Sequence, residues 1–221
     1  MASSRQGLDI KHLILIPAII TFGVTLLRLV GELNQWSPIL FGREAGGGGS
    51  IVGISWLVPF FGIYFALKLV KMGHAPASGW KTAGSALLGV VAGAAVIAIL
   101  FSLSQSFVVL AAAGVLAALT ALFVVRKTWP ALFRTLLAYG FAVRIPVAIV
   151  MLFAIYGEWG THYELGAPGT PEMAPFVKWI VIGVIPQMTA WIAYTVVFGS
   201  LFGGIAVALA GKGVKQTVPA A

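Results

Sequence analysis

The sequence predicts an all-α integral membrane protein: a single transmembrane domain over residues 1–221, folded as a six-helix bundle with both termini in the cytoplasm. Three observations carry this. Of 221 residues, 60% are apolar and only 9% are charged, against about a quarter charged in soluble domains. The mean hydropathy of +1.01 leaves too little polar surface to coat a water-soluble globule. The apolar residues also gather in runs that suit a bilayer core about 30 Å thick, which takes about 20 residues of helix. There is no cysteine, so disulfides, thiolate metal sites and iron–sulfur clusters are excluded.

The first run covers 12–33. It contains Arg28 and no small-x-small site follows it, so it reads as a retained span and not a cleaved signal. A loop over 34–50, with Gly46, Gly47, Gly48 and Gly49, reads as native chain and leads to the second run, 51–70. After a polar stretch, 82–101 and 107–125 are separated by five residues, which makes them an antiparallel hairpin. Gly89 with Gly93, and Gly114 with Ala118, are four apart and allow close helix packing inside the bundle. A basic turn over 126–129 opens the fifth span, 130–156, with Pro130 suited to a helix first turn.

The last run, 176–210, follows a loop rich in glycine and proline. Its 35 residues would extend about 52 Å as one helix, so a tilted or broken helix is expected. The alternative is seven spans, with a hairpin at Gly199-Ser200 or Gly203-Gly204.

Orientation follows from the basic residues. Arg5, Lys11, Lys68, Lys71, Lys81, Arg126, Lys127, Arg134, Lys212 and Lys215 fall on the inner side, and only Arg43 and Lys178 on the outer. Trp80 and Trp129 are then expected at the inner membrane interface, and Trp36, Trp159 and Trp179 at the outer one. The net charge of +8 is thus almost wholly a topology signal of a bacterial-type cytoplasmic membrane, and nothing in it calls for nucleic acid.

Polar residues inside the spans are the candidate site. Thr21, Thr25, Arg28 and Glu32 share one helix face, and Arg28 and Glu32 can pair or snorkel to the outer edge. Arg144 lies near mid-membrane, where an arginine costs roughly 3 kcal/mol on insertion scales and must face protein or trapped water. Gly140 and Ala148 flank it, and Pro146 frees the Ala142 carbonyl nearby. No Asp or Glu sits at its depth, with Glu32 the nearest. The other expected partners are neutral: carbonyls freed by Pro59 (Ser55) and Pro186 (Ile182), with Tyr64, Gln187 and Tyr194. An arginine met only by neutral acceptors leaves room for an anionic ligand or lipid headgroup. Gln187, Trp191, Tyr194 and Phe198 form one face of the last span.

The expected cofactor is none. His12 lies at the inner end of the first span, His74 in an inner loop and His162 outside, so no histidine at depth is expected to hold haem within the bundle. Glu158 and His162 have minimal metal spacing if the helix continues between them, but Gly157, Gly160 and Gly166 argue against it. Three functions stay open. One is a small transporter or permease for an anionic solute or lipid, working as a homo-oligomer. Another is a non-enzymatic accessory subunit of a larger membrane complex. The third is a membrane-embedded lipid enzyme using the outer Glu/His cluster.

Overall fold

The structure, a computed structural model, describes residues 8–45 and 50–211; Arg5, Lys212, Lys215 and the glycine run 46–49 lie outside the described residues. Every element among the described residues is helical. Five helical stretches are long and apolar enough to cross a membrane: Ile10–Leu33 (α1), Gly79–Leu103 (α3), Phe107–Val125 (α4), Pro130–Gly157 (α5) and the interrupted stretch Pro175–Ala210. The protein is therefore built as a multi-pass helical membrane protein.

Local chemistry sets the helix starts. Asp9 caps α1 by accepting from the His12 N–H at 3.2 Å, Ser78 caps α3 through Lys81, and Ser106 caps α4 through Val109. Pro130 occupies the first turn of α5, where its missing N–H costs nothing. The far end of α5 stops at Glu158, a left-handed residue with φ of 49°.

The second expected span is corrected. Helix begins only at Leu57, and α2 (Leu57–Lys71) has 15 residues, or about 22 Å, short of a bilayer core. Residues 51–56 form turns instead. Pro59 consequently sits in the first helical turn, and the Ser55 carbonyl accepts from the Val58 N–H and the Tyr194 hydroxyl, both at 3.3 Å.

The last run is one broken helix. A short α6 (Pro175–Lys178) passes into a π-helical turn (Trp179–Val184), then α7 (Ile185–Met188), and after a break at Thr189 into α8 (Ala190–Ala210). Thr189 has φ −121° and ψ −77°, outside helical values. Wide π turns and prolines are recognised causes of such kinks, and Pro186 follows this one by two residues. α8 runs unbroken through Gly199-Ser200 and Gly203-Gly204, so the hairpin needed for seven spans is not formed.

Those glycines pack instead. A Cβ on Gly62 of α2 would lie 2.6 Å from the Gly199 backbone, and one on Gly203 would lie 2.8 Å from the Gly62 carbonyl. α3 approaches α8 likewise, where a Cβ on Gly204 would meet the Gly79 carbonyl at 2.8 Å. Gly89 and Gly93 do face α4, with Ala121 and Ala117 carbonyls 3.3 Å from their Cβ positions, but Gly114 faces open space. The central core joins α1, α2, α5 and α8 through Leu13, Phe65, Leu69, Leu132, Leu136, Tyr139, Ile192 and Val196.

The two ends of the bundle differ. At one end the Trp129 indole donates to the His74 carbonyl at 2.7 Å, which joins the turn before α3 to the turn before α5. Trp129 is thereby buried, 3% exposed. At the other end the loops 34–56 and 158–174 meet the last turns of α1.

Candidate functional site

Beneath the second of these ends lies a cavity of about 100 Å³, lined among others by Thr25 and Arg28 of α1, Arg144 of α5, His162 and Tyr163, and Gln187 and Trp191. Thr25 and Arg28, from the Thr21, Thr25, Arg28, Glu32 face of α1, line one wall. All four residues are buried, so the predicted shared face is real and points inward.

Arg28 and Glu32 do pair, with Nε donating to Glu32 Oε1 at 2.7 Å. They do not snorkel, being 6% and 1% exposed. Instead the loop folds over them: Arg28 Nη2 donates to the Gly42 carbonyl and to Ser50 Oγ, each at 3.0 Å. Gly53 keeps this loop close, since a Cβ there would lie 3.3 Å from Arg28 Nη1.

Glu32 has a second partner that the sequence did not reveal. The His162 backbone N–H donates to Glu32 Oε2 at 2.9 Å, and His162 Nδ1 lies 2.5 Å from Glu32 Oε1. This fixes the 3-10 turn His162–Glu164 over the cavity. Tyr163 completes the cover: it is buried, its hydroxyl donates to the Thr25 carbonyl at 3.3 Å, and its ring stacks on His162 with centroids 3.9 Å apart. Burial holds the His162 pKa below the usual imidazole value, with Arg28 adding to that effect and the Glu32 contacts opposing it.

Arg144 is 3% exposed and differently served. Its guanidinium carbon sits 4.6 Å above the Trp191 ring, a cation–π contact. Nη1 donates to Gln187 Oε1 at 3.4 Å, a long bond, and Nε has no partner among the described residues. Gln187 also turns its amide to Met151 Sδ at 3.6 Å. α7 places Gln187 and the first turn of α8 places Trp191 around the guanidinium, and the Trp179 indole of the π turn donates to the Ala148 carbonyl of α5 at 2.8 Å.

Four expected site residues are reassigned. Glu32 is engaged by Arg28 and His162 and is not the partner of Arg144. Tyr64 is 37% exposed, carries Lys68 over its ring at 5.8 Å and does not line the cavity. Tyr194 spends its hydroxyl on Ser55 and stacks on Phe198 at 4.6 Å, outside the cavity wall. Glu158 is exposed beyond the end of α5, so the helix that would pair it with His162 is not formed. No group of three metal-ligating side chains occurs among the described residues.

Thr25, from the polar face of the first span, and Ser55, whose carbonyl was expected near Arg144, line the cavity, and Tyr163 of the outer loop joins them. Comparison of the chain with family models, curated proteins and solved structures gives no match, so geometry alone carries the functional reading.

Proposed function

We propose that the protein is a small permease of a bacterial-type cytoplasmic membrane, with its basic end inside, and that its cavity seats an oxyanion on Arg144. The oxyanion is a free carboxylate or phosphate, or the phosphate of a lipid headgroup. One observation carries this reading: a buried guanidinium lines a cavity with its Nε unpartnered and no carboxylate bonded to it. Buried charges are otherwise paired, and intramembrane arginines beside irregular helices mark substrate sites. The size agrees, since about 100 Å³ is smaller than the roughly 150 Å³ cavity that takes benzene. A whole lipid does not fit, but a few heavy atoms do.

The test is flux into proteoliposomes holding the full chain, with labelled acetate, labelled phosphate and a fluorescent phosphatidylglycerol as probes. Wild type should move at least one of them, and Arg144→Ala should slow it by about tenfold or more, the effect of losing one charged hydrogen-bond partner. The moving probe separates free anion from headgroup. Equal flux of every probe by wild type and a well-folded Arg144→Ala overturns the reading.

A second reading, a non-enzymatic accessory subunit, draws support from an apolar groove between α3, α4 and α8. It is lined by Gly89, Gly93, Gly114 and Ala117 and faces the lipid side, where another helix packs well. Co-purification of a stoichiometric partner in mild detergent would favour it.

A further inference from the structure

Glu32 is buried and bonded to His162, whose side chain is 14% exposed and lines the anion cavity, yet seating an anion on Arg144 does not require the pair. We infer that His162, held by Glu32, is a proton site coupled to the anion site, so that each oxyanion seated on Arg144 draws one proton onto His162 Nε2. This rests on the anion reading above and makes the permease a proton–anion symporter.

Charge balance motivates it. Arg28 and Arg144 bring two positive charges and Glu32 one negative, leaving one net positive charge around the cavity while His162 is neutral. An ionised carboxylate only accepts hydrogen bonds, so at 2.5 Å from Glu32 the His162 Nδ1 carries the hydrogen. Nε2 is left as the ring's free acceptor, with no bond to it among the described residues.

The charged and titratable groups facing the imidazole are Glu32 and Arg28 from α1, Arg144 from α5, and Tyr163 and Glu164 from its own turn. Glu164 turns away, accepting from the Gly160 N–H at 2.5 Å. With the cavity empty, burial opposes a proton on the ring and the Arg28 guanidinium adds to this, while Glu32 favours it. A monovalent anion between Arg144 and His162 cancels that one net positive charge. The proton leaves a hydronium ion in solvent and adds to the Nε2 lone pair, while Nδ1–H stays donated to Glu32; release runs the same step backwards. Coupling of two sites is reciprocal, so lower pH must tighten the anion.

The test is calorimetry on the purified full chain, titrating acetate at about pH 6.5, near the free imidazole value, in buffers of different ionisation enthalpy. Expected are uptake approaching one proton per acetate, and apparent affinity falling by up to about tenfold per pH unit as pH rises. H162Q should bind acetate with no proton uptake. Acetate binding without proton uptake in wild type overturns the coupling alone, even if H162Q does not fold. Undiminished uptake in a folded H162Q also overturns it. Failure of wild type to bind acetate, phosphate or a phosphatidylglycerol headgroup brings down the anion reading and this one together.

Discussion

Arg28 and Arg144 are both buried, and their surroundings are opposite. Arg28 is bonded to Glu32, Gly42 and Ser50, whereas Arg144 has one long bond and an aromatic face. Removing one member of a buried pair strands the other charge, so Arg28→Ala should destabilise by about 3–5 kcal/mol, read as an earlier melting transition in detergent. Arg144→Leu should melt no earlier than wild type, since it replaces an under-bonded charge with apolar volume. His162 gives a pH dependence with a definite sign. Its folded pKa is depressed, so the folded state binds fewer protons than the unfolded one below about pH 6.5. Its share of stability is intact above that pH and falls as pH drops toward the folded value. Thermal melts from neutral to mildly acid pH should show the loss, and H162Q should flatten it. The polar face of α1 was legible because helix periodicity puts Thr21, Thr25, Arg28 and Glu32 in line. The His162–Glu32 contact was not, because 130 positions separate the partners and no local period encodes such a meeting.

At the scale of elements, the helices were read well where apolar length alone decides. The fourth span matches α4 end to end, and the first, third and fifth agree to within three residues. The second failed because 51–56 is apolar enough to join a run, yet its turns serve the loop that covers Arg28. In the last run, apolar length showed that something must break but could not place the π turn or the kink at Thr189. Glycines considered as hairpin points are packing surfaces, since a glycine run has the same composition in either role. Gly203→Val should therefore cost about 1–3 kcal/mol, the usual effect of overpacking, because Gly62 backbone and Ala66 lie within 3 Å of the added Cβ. Gly114→Ala, facing open space, should be neutral or mildly stabilising, as Ala is the better helix former. Paired melting curves check both.

For the whole molecule, charge is divided between the ends. Among the described residues, Lys68, Lys71, Lys81, Arg126, Lys127 and Arg134 cluster around one end, while Glu44, Glu158, Glu164 and Glu172 lie around the other with the cavity cover. If the basic end is cytoplasmic, the cavity lies toward the outside. The natural absence of cysteine gives labelling no background. A cysteine replacing Glu172 should react with an impermeant maleimide in intact cells, and one replacing Lys127 only after permeabilisation.

The most direct test of the central claim is a structure determined with selenate present, with the anion located by its anomalous scattering. Expected is a peak in the cavity within hydrogen-bond distance of Arg144 Nε, absent in Arg144→Leu. An empty cavity, with Nε instead bonded to a protein carbonyl such as that of Ala142, would contradict it.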